Sequence, residues 1–273
     1  MAQHSTDARR ASDRKEPDGP LEDLIHSQEL SVLRSVASSA RLTEDIALSL
    51  LNRRDLPQQV LDDLSRNGTT MRNRKVMMGV VSHPRTPRHV TLPITRHLYT
   101  FELMQLALTP AVAADIKFVV EETLISRLES ISSGERLSLA RRGSTRIAAA
   151  LLTDPETRVI EVALDNPHLT EIWVVKTVMR DDCPHPLVHA VCNHRKWWLR
   201  RDVQIALLRN QQTPLARAIA IAEMLPVHVV RDVLGHSRLQ PHIKAYLADQ
   251  LQRRVEKQKK ARAGDPTPPP SAK

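Results

Sequence analysis

The sequence predicts an all-α protein, a right-handed solenoid of short helix pairs stacked on one another. Four observations lead there. Apolar residues recur at helical spacing, as in Ile172, Val175 and Met179, or Leu215, Ala218, Ile219 and Ala222. The β-branched runs such as Val229-Val230 are too short to argue a sheet. A short phrase also returns where apolar stretches end: Val80-Val81-Ser82-His83-Pro84, Ala163-Leu164-Asp165-Asn166-Pro167, Ala190-Val191-Cys192-Asn193-His194 and Val233-Leu234-Gly235-His236-Ser237. Each reads as two apolar residues, a variable position and a polar Asn or His at a turn. Finally, twelve of the 18 prolines lie between Pro57 and Pro241, mostly at the boundaries of apolar runs, where proline starts and stops short helices.

In chain order, residues 1–20 are too polar to repay the entropy of ordering and are expected to form a disordered tail. The pattern then predicts one helix around Leu24 to Ala40 and another around Thr43 to Leu51, with Thr43 as N-cap. Asp55-Leu56-Pro57 opens a further helix through Leu64, and Arg66-Asn67-Gly68 closes it. Beyond Gly68 the polar turn position falls at His83, Thr109, Arg142, Asn166 and Asn193, in steps of 26, 33, 24 and 27 residues. The phase then breaks. The phrase returns at Arg209 after only 16 residues and at His236 after 27, which predicts an extra or lengthened helix around Lys196 to Arg209. The array is expected to span residues 21–255, followed by a basic, Pro-rich disordered tail over 256–273. A unit of two short helices cannot bury its apolar face alone, so neighbours must stack to share a core.

On the stretch Arg158-Val159-Ile160-Glu161-Val162-Ala163-Leu164-Asp165-Asn166-Pro167 and its looser counterparts, the chain resembles HEAT-like solenoids, particularly the bacterial leucine-rich-repeat-variant type. The resemblance covers roughly Lys75 to Leu247 and implies a binding scaffold of stacked helix pairs. The cysteine cluster that holds an iron–sulfur centre in the variant family has no counterpart, and no such centre is inferred.

Composition narrows the function. Aromatics are only 3%, so the core must be aliphatic. The net charge of +9 and a pI of about 10.0 suit an acidic protein surface, nucleic acid or anionic lipid. Two cysteines, Cys183 and Cys192, form no disulfide framework and fit a reducing, cytoplasmic compartment. No stretch approaches 18 uninterrupted apolar residues, and Met1 to Pro20 lacks the apolar region of an export signal. A phosphate-binding glycine loop, a His-Glu-x-x-His helix and a nucleophile elbow are all missing, so no enzyme and no cofactor are expected.

Two segments carry candidate chemistry. Cys183, His185, His189, Cys192 and His194 include metal-ligating types, but His185, His189 and Cys192 on one straight helix do not converge on a tetrahedral ion. In the repeat alignment Cys192 falls at the variable position, and no metal is assigned. The second segment, Arg195, Lys196, Trp197, Trp198, Arg200 and Arg201, sits at the phase break and sets two of the three tryptophans among basic residues. If it is helical, Leu199, Val203, Ala206 and Leu207 form the core stripe, Trp197 lies nearly opposite and Trp198 on a flank; the competing expectation is that a neighbouring repeat covers both rings. Exposed aromatics among arginines anchor a protein partner, or stack bases and grip phosphates. An enzymatic alternative uses Trp198 and Asp202, one turn apart, in the manner of HEAT-like DNA alkylation-repair glycosylases. The expectation is a non-enzymatic scaffold that binds an acidic protein, with nucleic-acid binding as the alternative.

Overall fold

The computed structural model describes residues 19–263, which are helical throughout with no strand among them. The described residues divide into two compact units, with the boundary between Ile131 and Ser132. In the first lie α1 (Leu21–Leu24), α2 (Leu30–Ser38), α3 (Glu44–Leu51), α4 (Gln58–Arg66), α5 (Arg74–Ser82), α6 (Arg88–Thr95), α7 (Thr100–Leu108) and α8 (Ala114–Arg127). In the second lie α9 (Ser133–Arg142), α10 (Thr145–Ala150), α11 (Thr157–Leu164), α12 (Glu171–Val178), α13 (His185–Asn193), α14 (Arg201–Arg209), α15 (Leu215–Met224), α16 (Val227–Gly235) and α17 (Pro241–Ala263).

Local chemistry sets the boundaries. Thr43 caps α3 as expected, its hydroxyl accepting the Ile46 N–H. Pro57, Pro87, Pro184, Pro214 and Pro226 each occupy an N-cap in extended backbone, which is how proline restarts helices in this chain. The single helix expected from Leu24 to Ala40 is in fact α1 and α2. The break between them is held by Arg53, whose guanidinium donates to the carbonyls of Ile25 and Ser27. Residues 1–18 and 264–273 of the two expected tails lie outside the described residues, and α17 runs to Ala263, beyond the expected boundary at 255.

Within each unit helices pack on the second helix along the chain as well as on the next. The first unit pairs α2 with α4, α6 with α8, α3 with α5 and α5 with α7. The second pairs α9 with α11, α11 with α13 and α15 with α17 on one side, and α10 with α12, α12 with α14 and α14 with α16 on the other. The cores are aliphatic, built in the first unit from residues such as Leu33, Val36, Leu50, Leu61 and Val80. In the second unit Ile147, Leu164, Val174, Val188 and Leu207 play that part, together with one large aromatic, Trp197.

The recurrent polar position has a physical role. Just past a helix end, its side chain reaches back two helices to the orphan carbonyls where the partner helix stops, and turns its other polar atom to its own loop. Asn67 donates to the Ala37 and Ser39 carbonyls at 3.0 Å each. Asn166 donates to Ala140 at 2.7 Å and Gly143 at 3.2 Å and accepts the His168 N–H; Asn210 donates to Val178 at 2.7 Å and accepts the Gln212 N–H. His83 does the same with a ring: Nε2–H donates to the Arg53 carbonyl at 2.9 Å while Nδ1 accepts the Arg85 N–H, which assigns its tautomer. Ser237 donates to Leu208 and accepts the Leu239 N–H. These contacts satisfy helix-terminal carbonyls, which are buried at Asn166, Asn210 and Ser237.

The ladder corrects the expected register. The position after α13 is His194 and not Asn193, after α14 it is Asn210 and not Arg209, and after α16 it is Ser237 and not His236. Thr109 bonds only within its own helix, to the Gln105 carbonyl. The short step at α14 is no inserted helix either. α13 and α14 are consecutive helices that both end in a ladder residue, as α4 and α5 do with Asn67 and His83.

Candidate functional site

The segment that joins α13 to α14 is a turn over residues 195–199, and His194 shapes it. The His194 Nδ1 accepts the Lys196 N–H at 3.2 Å, its Nε2–H donates to Asp165 Oδ1 at 3.1 Å, and its carbonyl accepts the Trp198 N–H at 3.0 Å. Gln204, buried on the first turns of α14, donates to the Trp198 carbonyl at 3.1 Å. The turn is therefore fastened at both ends by side chains from α13 and α14.

This geometry reverses the expected orientation of Trp197 and Leu199. A helical wheel assumes 100° per residue, and a turn does not supply it. Trp197 points inward at 2% exposure, its indole N–H donating to the Leu164 carbonyl at 2.8 Å, whereas Leu199 is 65% exposed. The expectation that a neighbouring element covers the rings holds for Trp197, beneath α11; Trp198 is half-buried. Burying Trp197 with its single donor satisfied stabilises the turn as well as the core.

What reaches solvent is a run of basic side chains beside the half-buried Trp198. Arg195, Lys196, Arg200 and Arg201 are exposed. Lys196 Nζ lies 4.0 Å from the Trp197 ring centre, and the Arg217 guanidinium stacks 4.9 Å from that of Trp198. Arg217 also donates to Asn193. Only Arg200 has an acidic neighbour, Glu171 at 3.9 Å; among the described residues no carboxylate lies within ion-pair distance of Arg195, Lys196, Arg201 or Arg217. Arg217 escapes a local reading of the sequence because it belongs to α15. It lies 24 residues from Asn193, its hydrogen-bond partner.

The cysteine and histidine stretch does not assemble. Cys183 and Cys192 are buried free thiols, each pushed up to about 11 by desolvation. Cys192 occupies the second apolar position of the phrase once His194 is taken as the polar one, which explains its burial. His189 is engaged by Asn193 and His194 by Asp165. Among the described residues no group of three His, Cys, Asp or Glu side chains could hold a metal ion. None of the described helices is long and apolar enough to cross a membrane.

Beside the cluster, α12 and α14 run parallel. Arg200 approaches Glu171 at their N-terminal ends, and Asn210 bonds Val178 at their C-terminal ends. Asp202, the carboxylate that the enzymatic alternative would need, is exposed in the first turn of α14 and lines the open cleft between these helices. Comparison with family models, with curated proteins and with solved structures finds no match for this chain.

Proposed function

We propose that this chain is a non-enzymatic helical-repeat scaffold, a right-handed HEAT-like solenoid, that binds an acidic protein partner through the cluster beside Trp198. The repeat reading draws support from helices that pack on the second helix along and from the ladder by which Asn67, His83, Asn166, Asn210 and Ser237 each reach the end of the helix two before. One observation carries the partner chemistry: Arg195, Lys196 and Arg201 flank the half-buried Trp198 in the chain and Arg217 stacks on its ring, none of them with a carboxylate of its own. Cations left unpaired beside an amphipathic ring attract a carboxylate-bearing surface and give it an anchor. Burial of Trp197 leaves a single ring at the surface, one side of it engaged by Arg217, and this favours a protein contact over a run of stacked bases.

The test is site-specific photo-crosslinking from Arg195 in the native cell, with and without nuclease, compared with the Arg195→Glu/Lys196→Glu/Arg201→Glu variant. A protein adduct that survives nuclease and disappears in the variant supports the reading. Adducts that vanish with nuclease, with an affinity whose logarithm falls by roughly 0.9 per phosphate contact against log salt, would assign the cluster to nucleic acid instead.

A further inference from the structure

Helix α12 is apolar on two sides. Val174 and Val178 enter the core, while Ile172, Val175 and Met179 face outward. With Ile205 and Ala206 of α14 they floor an open cleft of about 560 Å³. Ile172, at 76% exposure, is the most exposed large apolar side chain among the described residues. A protein surface does not usually leave such a floor uncovered along two helical turns without a use for it.

The rim of this cleft has a direction. Glu171 and Asp202 stand at one end, in the first turns of α12 and α14, and Lys176 and Arg209 stand toward the other, in their last turns. Each placement complements the dipole of its own helix. Because the two helices are parallel, the placements add across the cleft, whose lining carries carboxylates at one end, Glu171 there beside Arg200, and cations at the other. Lys176, Arg209 and Asp202 have no oppositely charged side chain within ion-pair distance among the described residues. The Arg209 Nε is buried without a partner at all.

We propose that the α12–α14 cleft is a docking groove for an amphipathic helix of a partner protein, seated antiparallel to α12 and α14. The charge pattern selects this occupant. A helix carries acidic residues in its first turn and basic residues in its last for the same dipole reason. Only the antiparallel seating puts its acidic end on Lys176 and Arg209 and its basic end on Glu171 and Asp202. Its aliphatic residues at i, i+4 and i+7 then rest on Ile172, Val175, Met179 and Ile205. An acyl chain or small apolar ligand would use the floor but leave both charged ends without a counterpart. The groove adjoins the Trp198 cluster through the Arg200–Glu171 pair, and its test changes no residue of that cluster.

The probe is a labelled, stapled peptide of about four helical turns, with three leucines on one face, glutamates in its first turn and lysines in its last. Its control has the same leucines with the charged ends exchanged. Fluorescence anisotropy against the full chain should favour the first peptide by roughly tenfold, since like charges face each other in the control. Ile172→Lys, at an exposed position, should abolish binding of both while circular dichroism is unchanged. Exchanging two exposed rim charges, in Lys176→Glu/Asp202→Lys, should invert the preference. Equal binding of both peptides, binding of neither, or a preference that the rim exchange fails to invert would overturn the proposal. So would sedimentation showing a dimer that Ile172→Lys dissolves, which would give the cleft to a second copy of the chain.

Discussion

At the scale of single residues, the ladder position decides much of the stability, because it pairs helix-terminal carbonyls, which are buried at Asn166, Asn210 and Ser237. Asn166 is 1% exposed and makes three bonds, two to carbonyls at the end of α9 and one to its own loop. Asn166→Ala leaves those groups buried and unpaired and should cost about 2–3 kcal/mol, read as a lower urea midpoint at an unchanged slope. Gly143, whose carbonyl Asn166 bonds, admits no side chain: a Cβ there would sit 2.5 Å from the Leu139 oxygen and 2.8 Å from Ile147 Cγ2. Gly143→Ala should therefore destabilise the same corner by about 1–3 kcal/mol through overpacking. The thiols supply a pH signature. Cys183 and Cys192 rise from an ordinary 9.0 to about 11 through burial, so the folded chain keeps protons that the unfolded chain releases. Their contribution is fully present below about 9 and is lost as the pH climbs through about 11. A thiol reagent at pH 8 should leave both cysteines unmodified until denaturant is added, and the alkaline loss of stability should flatten in the Cys183→Ala/Cys192→Ala variant.

At the scale of elements, the sequence was most readable where one residue type has one job. Thr43 as N-cap and the prolines as helix starts follow from local backbone chemistry, and the structure places them so. The recurrence of the polar phrase was legible, but which of its residues turns inward was not. Asn193 and His194, like His236 and Ser237, are adjacent polar residues, and only the partner two helices back, the Asp165 carboxylate for His194 and the Leu208 carbonyl for Ser237, decides which of each pair turns inward. The same limit hid Trp197. Its inward turn depends on His194 reaching Asp165 and on the Leu164 carbonyl being free to accept, both set by packing α13 on α11. Trp197→Phe should separate the two parts of that anchor: the ring still fills its site, the Leu164 carbonyl loses its donor, and the cost should be about 1–2 kcal/mol. Trp197→Ala should cost about 3–5 kcal/mol. If the two substitutions cost the same, the hydrogen bond and not the ring volume fastens the turn. Ile172, Val175 and Met179 carry a related lesson, since their periodicity marks helix α12 correctly but floors a cleft and not the core.

At the scale of the whole molecule, the partition into two compact units raises the question of what each needs to fold. In the second unit every ladder bond closes internally: Asn166 to α9, His194 and Trp197 to the end of α11, Asn210 to α12 and Ser237 to α14. Its buried side chains run without interruption from Leu139 to Leu251. Stability drawn from contacts between neighbouring helices is largely local, so a segment holding six such helix-to-helix pairs should retain them when expressed alone. Residues 132–263 should accordingly give a helical circular dichroism spectrum and a cooperative thermal transition. Asn166→Ala should lower the stability of this fragment by about the same 2–3 kcal/mol as in the full chain, because its partners are all present in both. A fragment that binds a hydrophobic dye and melts without cooperativity would show that the second unit does not hold its own core, and an Asn166→Ala effect confined to the full chain would show that the ladder transmits stability from beyond Ser132.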